Sequence, residues 1–111
     1  YKECKAYSLI ADNAWNGGIV LGPEMPLDPT MTLDGLQGRL SIDGKPAHEG
    51  KTDDPLGALA WVANLAIERG RPMRAGMVSI TGSVIVTLPI EPGQTFRFEL
   101  AGLGATEMTA R

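Results

Sequence analysis

Two short stretches bring together side chains that could do chemistry. Asp12-Asn13-Ala14-Trp15-Asn16 sets an acid and two carboxamides around an indole, between the apolar residues 9–11 and 19–21. Carboxamides both donate and accept hydrogen bonds, so Asn13 and Asn16 can orient a polar substrate without adding charge. The second stretch, Ser79-Ile80-Thr81-Gly82-Ser83, offers hydroxyls and, at Gly82, a backbone N–H that a ligand can approach closely. Such a set is suited to holding a carboxylate or an enolate oxygen. Spacing alone leaves both stretches open to a second reading, as polar turns whose groups satisfy one another.

The other reactive residues point away from familiar chemistries. His48 stands without a second His or a Cys at metal-ligand spacing, so a surface role is expected for it. Cys4 stands alone, without a second Cys or a His nearby, and reads as an inert thiol. Asp53 and Asp54 form a carboxylate pair, but they directly precede Pro55 and an apolar periodic run, which makes helix capping the expectation. The glycines at 17–18 and at 102 and 104 read as turns, because no G-x-G-x-x-G fingerprint follows a strand. There is no G-x-S-x-G elbow, no H-E-x-x-H and no phosphate-binding loop.

The elements that must position these residues are mostly β. Residues 53–70 are the exception: Asp53 or Asp54 can cap, Pro55 suits the first turn and Gly70 suits a left-handed C-terminal cap, so the helix is expected over about 54–69. Leu56, Leu59, Ala60, Ala63, Ala66 and Ile67 follow the helical period, and Leu59 is expected in the core. Strands are expected at residues 9–11 and 19–21. Asp43-Gly44 predicts a two-residue hairpin turn within residues 38–49, since both central positions need positive φ. Residues 77–82 and 84–90 read as strands, the second broken by Pro89. Glu91-Pro92-Gly93-Gln94 predicts a type II turn. Phe96, Phe98 and Leu100 alternate with Arg97 and Glu99, and residues 105–110 follow as a last strand. Strands with one main helix make the chain α+β, with a mixed, mostly antiparallel, partly rolled sheet capped by that helix. The loop at 23–30, rich in proline, is expected on the surface.

Composition bounds the rest. A chain of 111 residues, 43% hydrophobic and 21% charged, suits one domain with one core. Ten Lys and Arg against thirteen Asp and Glu give a net charge of −3 with no basic block, which argues against a nucleic-acid partner. One cysteine cannot form an internal disulfide, and no apolar run approaches the roughly 18 to 20 residues that span a bilayer, so a cytoplasmic protein without a membrane partner is expected. The chain opens with Tyr1 and reads as part of something longer.

Three motifs in order extend over nearly the whole chain: I-A-D-N-A-x-N-G-G-I-V-L-G; then D-P-L-G-A-L-A-W-V-A-N-L-A with R-A-G-M-V-S-I-T-G-S; then P-G-Q-x-F-x-F-E-L-x-G-L-G. Together they resemble the C-terminal part of 2-keto-4-pentenoate hydratases and 2-oxo-3-hexenedioate (4-oxalocrotonate) decarboxylases, within the fumarylacetoacetate hydrolase superfamily. The resemblance implies that residues 1–111 are the C-terminal portion of a catalytic domain. It further implies a lyase that adds water to a 2-hydroxydienoate, such as 2-hydroxypenta-2,4-dienoate in aromatic catabolism, aided by Mg2+ or Mn2+ acting as a Lewis acid. The metal-binding carboxylates of that family lie upstream, so none is expected between Tyr1 and Arg111, and this segment alone is expected to be inactive. Asn13 and Thr81 match the family's substrate-side positions directly, Gly82 and Ser83 continue the second match, and Asn16 occupies a position where the family carries serine. Trp15-Asn16 replaces the family's Ser-Ser, Met77 stands where aspartate is usual, and Asp54 stands where His or Asn is common. A 2-keto or 2-hydroxydienoic acid and further copies of the same protein are the implied partners. The alternatives are a vinylogous 2-keto acid decarboxylase on the same scaffold and a non-catalytic binding or oligomerisation module.

Overall fold

Asp43 and Gly44 both take left-handed backbone angles, φ 51° and 74°, and so join two strands by the short turn their sequence predicts. The computed structural model describes residues 5–11, 14, 16–26 and 28–111. Around the turn lie β1 (Gln37–Ile42) and β2 (Lys45–Lys51), after a short helix α1 (Ala6–Ala11) and ahead of α2 (Pro55–Glu68), β3 (Thr95–Leu100) and β4 (Gly104–Thr109). The four strands form an open sheet in the order β2-β1-β3-β4, antiparallel at every pairing. The α+β class therefore holds, but the sheet is not mixed.

Alternation along the strands gives the sheet two unlike faces. Leu40 and Phe96 are buried on the inner face, and Ala110 joins them from just beyond β4. Ile42, Phe98 and Met108 pack around this nucleus, and Ile85 and Leu88 cover it from above. On the outer face Arg39 pairs in register with Glu49 and Glu99, and Ser41 with Arg97. One extra residue in β2 shifts the register between Leu40 and Ser41, and Pro46 sits on this edge strand, where a missing N–H breaks no ladder.

The connections are tied by side chains as well as backbone. Asp43 accepts from the Thr95 N–H at 2.9 Å while its own N–H donates to the Thr95 carbonyl at 2.8 Å, fixing the hairpin tip to β3. Thr52 donates its hydroxyl to the Leu33 carbonyl at 2.6 Å and accepts from the Leu36 N–H at 2.9 Å, binding the loop before β1 to the end of β2. Gly93 has φ 87° and the Gln94 N–H meets the Glu91 carbonyl at 3.2 Å, the type II turn expected from Pro92-Gly93.

Helix α2 begins and ends where its sequence indicates. Asp54 is the N-cap, its carboxylate accepting from the Gly57 N–H at 3.0 Å, and Pro55 follows in the first turn. A Cβ at Gly57 would collide with that carboxylate, so the glycine makes room for the cap. At the other end Gly70 has φ 69°, its N–H reaches the Ile67 carbonyl, and the Arg71 N–H reaches the Ala66 carbonyl at 2.8 Å, a complete Schellman motif.

The expected strands outside the sheet and the capping role of α2 are corrected. Residues 9–11 end helix α1 rather than forming a strand; among the described residues no strand pairs with them, and a local turn satisfies the backbone, as when the Leu9 N–H bonds the Lys5 carbonyl. Residues 19–21 are irregular, and Gly22 lies against Thr106 of the edge strand β4. Residues 77–82 and 84–90 are not strands either. Gly76 and Gly82 take φ 86° and 144°, and the segment lays Ile85 and Leu88 across the sheet face instead of pairing with an edge. Finally, α2 packs against none of the strands and has no buried residue, so it does not cap the sheet, and Leu59 is only half-buried.

Candidate functional site

Val84 crosses the inner face of the sheet where two glycines face each other, Gly38 of β1 and Gly50 of β2. A Cβ on Gly38 would lie 2.7 Å from Val84 Cγ1 and 2.8 Å from Phe98 Cζ, and one on Gly50 would overlap the Val84 carbonyl oxygen. The crossing thus depends on two absent side chains. Thr81-Gly82-Ser83 directly precede it in the chain.

These three residues line a cleft of about 200 Å³ with Lys51, Asp53 and Pro55. Ser83 donates its hydroxyl to the Ile85 carbonyl, so its oxygen keeps only acceptor capacity. Thr81 makes no hydrogen bond within the described residues and presents both a donor and an acceptor. The φ of 144° at Gly82 belongs to a region that side-chain-bearing residues rarely enter, which explains a glycine there. Lys51 supplies one positive charge and Asp53 one negative charge. The set can receive a single carboxylate or enolate oxygen through Lys51 and Thr81, while Asp53 opposes a second negative charge nearby.

Thr81 also lines an adjoining apolar cleft of about 290 Å³ between α2 and the following segment, walled by Ala58, Trp61, Val62 and Ile80. Trp61 is 67% exposed there, a large ring presented to solvent. The two clefts therefore share Thr81 and its free hydroxyl, and Ser79 adds a second hydroxyl to the more apolar one.

A larger hollow, about 500 Å³, lies elsewhere, on the outer sheet face beside His48. Its charges are already matched: Arg97 Nη1 is 2.7 Å from Glu99 Oε2, and Arg39 Nε is 3.9 Å from Glu49. The Arg97 hydrogen bond, followed by its charge, holds the Glu99 carboxyl below its ordinary value. Such a self-neutralised, open face is what the solvated side of an antiparallel sheet requires, and we assign it no ligand.

Of the residues singled out in the sequence, Thr81, Gly82 and Ser83 share one cleft. Asn16 does not wall that cleft or the apolar one beside it; it is exposed and its carboxamide oxygen accepts from the Gly18 N–H at 2.9 Å, an Asx turn. Asn13 lies outside the described residues, as do Cys4, Asp12 and Trp15. Lys51, Gly38 and Gly50 carried no signal of their own in the sequence. Their meaning depends on what crosses β1 and β2.

Among the described residues no three His, Cys, Asp or Glu side chains gather as a metal site would need. Asp53 is the one carboxylate lining the cleft, too few oxygens for a divalent ion, so these residues by themselves do not fit Mg2+ or Mn2+.

No protein-family model matches the chain. Curated proteins do. A 2-keto-4-pentenoate hydratase of Paraburkholderia xenovorans is 32% identical over 107 residues, covering 91% of this chain and 39% of its own length. A 2-hydroxyhexa-2,4-dienoate hydratase of Comamonas testosteroni is 31% identical, covering 92% and 40%. A 4-oxalocrotonate decarboxylase of a Pseudomonas species is 30% identical, covering 87% and 39%. The chain is thus similar, over most of its length, to the 2-keto-4-pentenoate hydratases and their decarboxylase relatives. It spans about two fifths of the length of the curated relatives it matches.

Proposed function

We propose that the chain is the C-terminal portion of a hydratase-type lyase acting on a 2-hydroxydienoate, and that its share of the active site is to hold the substrate's oxygens. The observation that carries this reading is the juxtaposition of clefts: a cation and a free hydroxyl at Lys51 and Thr81, continuous at Thr81 with an apolar wall. A short dienoic acid has the matching form, a carboxylate and enol at one end and a hydrocarbon chain at the other. Its hydration requires negative charge on the C2 oxygen. Proton delivery to the far carbon converts the dienol to an enone, and water then adds to the carbon β to the carbonyl, with its second proton going to the α carbon. A donor at Thr81 that is closer to the enolate than to the ground-state oxygen lowers that barrier.

The Mg2+ or Mn2+ implied by the family resemblance belongs, on this reading, to ligands outside the described residues, and the steps above are not drawn through it. A homo-oligomer in which further surface is covered belongs to the same proposal. The decarboxylase among the relatives favours a second reading, loss of CO2 from a vinylogous 2-keto diacid, because the same oxygen-holding set would stabilise the dienolate left behind.

Thr81→Val in the full-length protein tests the assignment. The substitution replaces a hydroxyl by a methyl of similar size. It should lower kcat/KM for 2-hydroxypenta-2,4-dienoate, followed by loss of dienoate absorbance, by about 1 to 3 kcal/mol, with the melting temperature unchanged. Unaltered kinetics would remove Thr81 from the site. Release of CO2 from a keto diacid, without hydration of the monoacid, would select the second reading.

A further inference from the structure

We infer that the facing pair Gly38 and Gly50 acts as a seat that positions Thr81-Gly82-Ser83, making the two glycines positioning residues for the substrate's oxygens. The functional part of this inference rests on the hydratase reading; the seat itself rests on geometry. The two glycines are cross-strand partners on β1 and β2, so their missing side chains leave one notch in the sheet rather than two separate gaps. Val84 fills the notch from above, against Gly38 with its side chain and against Gly50 with its carbonyl. Across the notch, the Ser83 hydroxyl bonds the Ile85 carbonyl, and beyond it Ile85 and Leu88 join the core. Before it, Gly82 at φ 144° turns the chain so that Thr81 reaches the wall of α2. The segment has no ladder hydrogen bonds of its own. Its placement therefore depends on this contact more than a strand's would.

The two glycines differ in a way that can be tested. A methyl on Gly38 would press on the Val84 side chain and the Phe98 ring, so shortening Val84 relieves part of the clash. A methyl on Gly50 would press on a carbonyl oxygen, which every residue carries, so no side-chain change at position 84 relieves it.

In the full-length protein, Gly50→Ala should speed amide hydrogen exchange in residues 81–85 while leaving β3 and β4 protected. It should lower kcat/KM for 2-hydroxypenta-2,4-dienoate by roughly tenfold to a hundredfold, the scale of an ångström misplacement of a binding group. Gly38→Ala should do the same more weakly and be partly rescued by Val84→Ala, whereas Gly50→Ala should not be. Unchanged exchange at 81–85, a rescue of both variants by Val84→Ala, or a lowered melting temperature with normal kcat/KM in the folded enzyme would overturn the inference. If Gly50→Ala does not fold, Gly38→Ala with and without Val84→Ala decides by the same readouts. Freed exchange at 81–85 in a protein whose unsubstituted form shows no hydration would defeat the hydratase reading and leave the seat standing.

Discussion

Glu99 and Arg97 occupy the same face of β3 two residues apart, and their 2.7 Å contact is the shortest ion pair among the described residues. Its consequence is electrostatic and local. Hydrogen bonding to Arg97, with the charge of the same guanidinium second, lowers the Glu99 pKa from its ordinary 4.5, and Arg39 across the strand adds a smaller effect in the same direction. A depressed folded pKa means that the pair's contribution is fully present above pH 4.5 and is lost as the pH falls through the lower, folded value. Arg97→Met should therefore return Glu99 toward 4.5, as read from its side-chain carbonyl chemical shift against pH. It should also flatten the fall in stability on the acid side of that value. Both groups are half-exposed, so the effect on overall stability is small. At this scale the sequence was readable where neighbours in the chain define the role: the alternation of Arg97 and Glu99 with Phe96 and Phe98 gives their faces directly. It was not readable at Gly38 and Gly50, because a glycine's lack of a side chain acquires meaning only from the Val84 segment that passes over it.

Among the elements, α2 shows how far local rules reach. Asp54, Pro55 and Gly70 mark its ends by their own chemistry, and the structure ends the helix there. Gly70→Ala should cost about 1 kcal/mol, since alanine must enter the left-handed region at φ 69° or give up the Schellman bonds, and a thermal melt of the two proteins measures it. A stability equal to the parent's would mean that this end of the helix is free to fray. The hairpin at Asp43-Gly44 and the turn at Pro92-Gly93 were legible for the same reason. Residues 77–90 were not. Their β-branched and apolar composition fits a strand, but β-propensity reports fitness for a half-buried surface rather than for pairing. Ile85 and Leu88 use that fitness by lying on the sheet.

The whole molecule is an open slab, 44 × 41 × 23 Å, with a radius of gyration of 15.7 Å where about 13 Å is usual for this length. Its accessible surface is 9083 Å², against about 5,900 Å² for a compact protein of this mass. Large apolar side chains contribute to it: Trp61 and Ile67 on α2, and Val78, Ile80, Val86 and Ile90 beyond it, are all exposed. No helix among the described residues is long and apolar enough to cross a membrane, so lipid-spanning helices do not account for this surface. Relatives more than twice as long provide chain that could cover it. The 111-residue chain on its own should bind a hydrophobic dye and sediment as a concentration-dependent oligomer, whereas a dye-silent monomer would contradict an unfilled apolar surface of this extent.

The sequence by itself determined what depends on near neighbours: the α+β class, the capped helix, the two tight turns, the two faces of β3, and the clustering of Thr81, Gly82 and Ser83. Only the tertiary structure decided what depends on distant ones. It turned the expected strands at 77–90 into a cover for the sheet, left α2 without a strand to pack on, and brought Lys51 to Thr81 while leaving Asn16 in a turn of its own. The physical reason is that caps and turns are fixed by backbone angles and hydrogen bonds within a few residues. A strand, a cleft or a notch exists only once a remote segment supplies its other side.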